Sequence, residues 1–320
     1  MIDDTLQGQS FTHTSERIMG SMENFDSQSA ALAGRRRHRR ENWAYLFILP
    51  VMLALSAFTF YPFLRGIYLT LFVTDKIGNT AKFVGFSNYE RIWKSGALME
   101  SMGDTLKYAL AICAGTFLLA LVLAYLCVDK KKGSRIYQTM YSMPLAIATA
   151  PIAAVGTYIF GKYGMLNGLL GTNVTWLGNE HTKFICLVIL VCWCNCGSSF
   201  IYLLVGFRNV PDELIECANI DGANAFVKFF KIYLPIASPQ VFYVIFLNIL
   251  TAFKSFTMIK MLFNSTNEPG LRVLNSQIYQ MGFVQNRFET ACIYALALCL
   301  LIFLVTRIQF ILEKRMVHYQ

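Results

Sequence analysis

Long apolar runs alternate with short polar segments along most of the chain. Four runs carry no charged residue and are long enough, at about 1.5 Å per residue, to cross the roughly 30 Å hydrocarbon layer of a membrane. Two later runs are interrupted by Lys254, Lys260 or Arg307 and are also predicted to span. The predicted spans are residues 43–63, 108–128, 136–160, 184–207, 236–262 and 290–312. The pattern therefore predicts an all-α polytopic membrane protein with six transmembrane helices and both termini on one side.

The segment between the fourth and fifth spans, VPDELIECANIDGANAFVKFFKIYLPIASP, is polar and charged although apolar spans flank it. Pro211 suits a first helical turn, where its missing N–H costs nothing, and the acids at 212 and 213 favour the positive end of a helix. Gly222 provides a break. The segment is thus predicted to form two short helices that meet at a turn.

The second of these helices is predicted to be amphipathic. Its apolar positions, spaced i, i+3, i+4 and i+7, are Ala223, Phe226, Val227 and Phe230. Pro235 and Pro239 are expected to end the helix. An exposed apolar face beside water needs a partner, and two remain open: lipid headgroups, on which the helix would rest, or another protein, for which it would be a docking surface.

Basic residues predict the orientation. They cluster in the RRRHRR run before the first span and in the loop after the second span, which holds residues 130–132 and Arg135. Both regions, and hence both termini, are predicted to be cytoplasmic, and so is the loop at residues 208–235. Residues 1–42 are predicted to be a disordered basic cytoplasmic tail, followed by a transmembrane domain over residues 43–320. Because the cations lie at span ends, anionic lipid explains the formal charge of +9 better than nucleic acid does.

Composition and motifs argue against an enzyme. The chain is 55% hydrophobic and only 15% charged, which is typical of a polytopic membrane protein. Cys192 and Cys196 share a helix face, but Cys194 points nearly away from them, so a metal site is not predicted. Residues 156–163 resemble a phosphate-binding P-loop but end in tyrosine where a small hydroxyl is needed. The sequence offers no catalytic constellation, and no cofactor is expected.

The loop carries a family resemblance. The residues Glu216, Cys217, Ala218, Asp221, Gly222, Ala223, Ile232, Leu234 and Pro235 resemble the E-A-A, D-G-A and I-x-L-P signature of binding-protein-dependent ABC importer permeases. Cys217 departs from the usual alanine, a small-for-small change. The resemblance implies that residues 208–235 form a coupling-helix loop that inserts into a separate ATPase subunit. It also implies that Glu216 and Gly222 are central to docking.

The resemblance extends over about residues 44–320. FVGFSNYERI and YGMLNGLLG are similar to stretches of the sugar and glycerol-3-phosphate importer permeases, of the maltose-F and glycerol-phosphate-A type. It implies a MetI-like permease fold in a bacterial plasma membrane, with three protein partners: a second homologous permease, a cytoplasmic ATPase dimer and an external solute-binding protein. NEPG at residues 267–270 departs from the usual glycine pair before proline. The implied function is import of a carbohydrate or a glycerol-3-phosphate-like solute.

Substrate contacts are predicted from polar residues within the spans, because such residues mark either a cavity or a bond between helices. Asn195, Asn248 and Lys254 are the candidates, although helix packing or snorkelling of the lysine would also explain them. Two other functions remain as alternatives. An ion-gradient-driven secondary transporter would need a carboxylate in a span, and none is present. A structural or receptor-like membrane protein would bind no ATPase at the loop.

Overall fold

The computed structural model describes residues 47–129, 133–263 and 268–316. The predicted tail at 1–42 and the first residues of the predicted first span lie outside this part of the chain. Residues 47–65 and the described residues from Gly66 onward form two separate units. The elements are α1 (Phe47–Leu69), β1 (Phe72–Thr74), β2 (Thr80–Phe83), α2 (Ser87–Lys94), α3 (Ala97–Leu126), α4 (Ser134–Ser142), α5 (Thr149–Phe160), α6 (Met165–Leu170), α7 (Glu180–Arg208), α8 (Asp212–Ile220), α9 (Ala225–Ile236), α10 (Ser238–Lys254), α11 (Thr257–Phe263), α12 (Leu274–Tyr279) and α13 (Phe288–Met316).

Four helices of the described chain are long and apolar enough to cross a membrane: α1, α3, α7 and α13. They correspond to the predicted first, second, fourth and sixth spans. The other two predicted spans are bent helix pairs, by 102° in the third and by 77° in the fifth. The mostly helical membrane fold is confirmed, with six spans if each bent pair is counted as one.

The third predicted span, residues 136–160, is not one continuous helix. After α4 a 3₁₀ turn at Met143–Ala146 has Pro144 in its first turn, and Ile147 and Ala148 are extended before α5 begins. Proline favours this arrangement because it cannot donate to a preceding helical carbonyl. The chain therefore changes direction between α4 and α5.

The fifth predicted span begins differently from its prediction. Pro235 does not end the loop's second helix, because a π-turn at Phe229–Tyr233 precedes it and shifts the bonding so that Leu234 donates to the carbonyl of Phe229. The helix continues to Ile236, and α10 begins at Ser238 with Pro239 in its first turn. Pro239 therefore starts a helix in a position where no N–H is required.

The same span was predicted to run to residue 262, but α10 ends at Lys254. The chain leaves the helix at Ser255 before α11 begins at Thr257. The hydroxyl of Tyr108 donates to the carbonyl of Ser255 at 2.9 Å, and Nδ2 of Asn275 donates to the carbonyl of Phe253 at 2.8 Å. These two bonds satisfy carbonyls that the break releases, as a break beside apolar surroundings requires.

A small antiparallel hairpin, β1 and β2, follows α1 and was not predicted. Its strands pair Phe72 with Phe83, whose rings are 5.1 Å apart. In the turn, Asp75 accepts from the backbone N–H groups of Asn79 at 2.7 Å and Ile77 at 3.0 Å. The bond from the Asn79 N–H lowers the pKa of the Asp75 carboxyl most, because it stabilises the charged form.

The core lies where α3, α7 and α10 pack together. Tyr108, Ile112, Leu187 and Val191 are almost completely buried there. At Gly115 an added Cβ would lie 2.6 Å from Sγ of Cys192, so the glycine permits this close approach of α3 and α7. Close packing at small residues is the usual way in which helices associate within a membrane.

Candidate functional site

The loop between α7 and α10 is a helix, a tight turn and a second helix, as predicted. α8 ends in a Schellman arrangement: Ala223 donates to the carbonyl of Ala218 at 2.9 Å, and Gly222 donates to that of Asn219 at 3.1 Å. Gly222 has φ +71°, a left-handed conformation that glycine adopts without steric cost. The Schellman turn therefore explains why a glycine stands in the middle of the D-G-A stretch.

The second helix of the loop is held to the first. Oδ1 of Asn224 caps the start of α9 by accepting from the N–H of Val227 at 2.8 Å. Nζ of Lys228 donates to Oδ1 of Asn219 in α8 at 2.9 Å. The two helices thus have a fixed relative geometry within the loop.

The loop is anchored to the ends of two long helices. The hydroxyl of Tyr125, near the end of α3, donates to the carbonyl of Ala225 at 2.8 Å. The Tyr125 ring lies 4.8 Å from that of Phe229, 5.6 Å from that of Tyr233 and 6.4 Å from that of Phe207, measured between centroids. These aromatic contacts connect the loop to α3 and α7, so displacement of the loop has a direct mechanical route into both helices.

A hydrogen bond joins the ends of α3 and α7 just before the loop. Nη2 of Arg208, the last residue of α7, donates to the carbonyl of Cys127 at 3.2 Å. The sequence did not predict this role of Arg208 or that of Tyr125, whose partner lies 100 residues away in the sequence. The cap by Asn224 could have been found, since asparagine before a short helix is a local signal.

The predicted docking residues lie together on α8 and its turn, with different exposures. Glu216, Cys217, Asp221 and Gly222 are exposed, Ala223 is half-buried and Ala218 is buried. The small side chain at 218 therefore faces the protein, whereas the carboxylates and the thiol face outward. This arrangement can present a polar, rigid surface to another molecule.

The predicted pathway residues occupy three different environments. Asn248 is buried, and its Oδ1 accepts from the hydroxyl of Ser199 at 2.9 Å, which joins α10 to α7. Asn195 is half-buried on α7, and Lys254 is exposed at the end of α10. The bond to Ser199 gives Asn248 a packing role, which the sequence had left open.

Two buried cysteine thiols pack against backbone carbonyl groups. Sγ of Cys192 lies 3.7 Å from the carbonyl oxygen of Ile112, and Sγ of Cys113 lies 3.9 Å from that of Ile245. In the part of the chain that the structure describes, no three His, Cys, Asp or Glu residues are grouped as metal ligands would be.

Comparison with known proteins identifies a matching family and similar sequences. The family "Binding-protein-dependent transport system inner membrane component" matches residues 116–318. The probable ABC transporter permease protein YesP of Bacillus subtilis (strain 168) is 28% identical over 300 residues, which cover 91% of this chain and 96% of YesP. The sn-glycerol-3-phosphate transport system permease protein UgpA of Yersinia enterocolitica is 27% identical, with 86% of this chain and 95% of UgpA covered.

Solved structures share the fold. One is a chain of a bacterial ABC transporter involved in the import of the acidic polysaccharide alginate. It has a TM-score of 0.76 at 18% identity and covers 88% of this chain and 98% of that one. Another is a chain of a bacterial alginate ABC transporter in complex with an alginate pentasaccharide-bound periplasmic protein. It has a TM-score of 0.75 at 18% identity, with 87% and 96% covered. Because the family match covers most of the chain and includes the whole loop, this protein belongs to the inner membrane components of binding-protein-dependent transport systems.

Proposed function

We propose that this chain forms, together with a second permease, the membrane pathway of an ATP-driven importer for a carbohydrate or a glycerol-3-phosphate-like solute. The family membership supports an importer, and it argues against the ion-gradient-driven alternative. The relatives named for their cargo support the substrate class, since they carry sn-glycerol-3-phosphate or alginate. Both of these solutes are anionic.

The observation that carries the proposal is the construction of the loop at residues 208–235. Its helices are fixed to each other, it is anchored to α3 and α7 through Tyr125, and it exposes Glu216, Cys217 and Asp221. A loop connected in this way can transmit a displacement imposed by an ATPase to the membrane helices. Residues 216–218 and 221–223 are the docking residues in this proposal, with ATP hydrolysed by a separate subunit.

The basic clusters support placing the loop and both termini in the cytoplasm of a bacterial cell. This is the side on which an ATPase dimer has access to ATP. An external solute-binding protein would then deliver the cargo from the opposite side. The helix α1, whose side chains from Phe47 to Arg65 are all exposed, offers apolar surface to lipid or to the second permease.

The proposed pathway residues remain Asn195, Asn248 and Lys254. Asn248 keeps one buried donor unpaired, because Nδ2 has no hydrogen-bond partner within the described residues while Oδ1 is bonded to Ser199. An exposed cation at Lys254 suits an anionic cargo. Neither amide provides tight binding by itself, which fits a system where a separate protein captures the solute.

ATP-driven uptake in proteoliposomes tests the proposal. The chain, its partner permease, the ATPase and the binding protein are reconstituted and offered neutral sugars, acidic sugars and glycerol phosphates. We expect uptake of one class, and its loss in Glu216→Lys, because reversing the charge on the exposed face of α8 opposes docking. Glu90→Lys, which also reverses an exposed acid but outside the loop, should retain uptake. Normal uptake in Glu216→Lys would exclude coupling through this face.

A further inference from the structure

An apolar groove lies beside the loop, between the last turns of α3 and the start of α9. It has a volume of about 230 Å³. Leu121, Val122 and Leu126 form one wall, and Phe226 and Phe230 form the other. The accessible lining is entirely apolar, and the hydroxyl of Tyr125, also at the groove, is already bonded to the carbonyl of Ala225.

The groove opens at the boundary of the membrane. The apolar part of α3, residues 108–126, is about 28 Å long at the helical rise, which matches the hydrocarbon thickness and places Leu126 at its edge. Along α3, Leu118 and Val122 are 58% and 56% exposed and lead into the groove. The groove is therefore a continuation of the lipid-facing side of a membrane span.

The wall formed by Phe226 and Phe230 exposes apolar surface, which is unfavourable in water and favourable against lipid. Phe226 is 74% exposed and Phe230 is 53% exposed, and their ring centroids are 5.5 Å apart. Lys231 follows Phe230 directly in the sequence and is exposed, and its long side chain can bring the ammonium to the headgroup level beside an apolar helix face. Basic residues on the polar side of an amphipathic helix are a feature by which interfacial helices bind anionic lipids.

We propose that this groove holds an acyl chain of an anionic phospholipid, whose headgroup lies near Lys231. The lipid fills the space between α3 and α9 and becomes part of the support beneath the coupling loop. The site depends on the groove and the adjacent cation, and not on the cargo or on the identity of the ATPase.

Photolabelling with lipid locates the occupant. The full-length chain, with the subunits that co-purify, is placed in nanodiscs containing phosphatidylglycerol with a photoactivatable acyl chain. Parallel discs contain phosphatidylcholine with the same chain. Mass spectrometry then identifies the labelled residues. We expect label to be concentrated on Leu126 and Phe230 compared with Leu304, an exposed residue of α13, and to be greater with phosphatidylglycerol.

Two variants and a matched control make the result decisive. Val122→Trp fills the groove and should abolish label on Leu126, whereas Leu118→Trp, one turn away on the same exposed side, should leave it unchanged. Lys231→Glu should reduce the preference for phosphatidylglycerol by about five-fold or more, and should not change labelling by phosphatidylcholine. Equal label on Leu304 and Leu126, or label that appears only after other subunits are removed, would overturn the proposal, the second because a protein then occupies the groove.

Discussion

At the scale of single residues, Gly222 determines the shape of the loop. Its positive φ closes the Schellman turn, and the space around it is open, since an added Cβ would meet nothing within 4 Å. A side chain there would be opposed by backbone strain alone. The turn could be predicted from the sequence because all of its bonds lie within six consecutive residues.

We expect Gly222→Ala to destabilise the turn by about 1–2 kcal/mol, which is the cost of a left-handed residue with a Cβ. The rest of the chain should keep its fold, so ATP-driven uptake should fall clearly while the temperature of thermal unfolding changes little. Gly103→Ala is the matched control, because that glycine is also in open space but lies within α3 and has no positive φ. Equal uptake by the two variants would show that the turn does not matter for coupling.

Asn248 can be assigned to packing or to the pathway by comparing it with Ser199. If their hydrogen bond serves packing alone, Ser199→Ala and Asn248→Ala should destabilise the protein by similar amounts, about 0.6 kcal/mol for such a bond in a membrane protein. If the free Nδ2 also contacts cargo, only Asn248→Ala should raise the KM for uptake. We expect the second result, and equal KM values in both variants would remove Asn248 from the pathway.

At the scale of elements, the sequence predicted where helices exist but not where they bend. Apolar runs are sufficient to identify α3, α7 and α13. The break after Lys254 depends on hydrogen bonds from Tyr108 and Asn275, which come from other parts of the chain. No local sequence pattern predicts those hydrogen bonds. The hairpin was missed for a related reason, because its strands have three and four residues and the second is fully exposed.

The break after α10 should be sensitive to the loss of its supporting donors. We expect Asn275→Leu to leave the carbonyl of Phe253 unsatisfied and to destabilise the protein by about 1–3 kcal/mol. Thermal unfolding in detergent measures this change. Asn79→Leu, in the exposed hairpin turn, is the control for the same substitution and should cost less, because water can replace its side-chain bond to Asp75. Equal losses in both variants would contradict the supporting role of Asn275.

At the scale of the whole molecule, the proposed function depends on a connection between the loop and the membrane helices. Tyr125 links the end of α3 to the start of α9, and Arg208 links the end of α7 to the end of α3. The family signature indicated where an ATPase would dock, but the route from that surface into the spans was visible only in three dimensions. The exposed apolar surface of α1 is consistent with the proposed contact with lipid or a second permease.

The most direct test uses Cys217, an exposed native thiol within the docking surface. In the assembled transporter, a maleimide that carries a photoactivatable benzophenone should react with Cys217 and, on illumination, cross-link this chain to the ATPase subunit by insertion into its C–H bonds. Cys217→Ala should abolish the adduct while preserving uptake, since alanine retains the small side chain. Failure to form the adduct, or an equally abundant adduct in Cys217→Ala, would contradict docking at this loop.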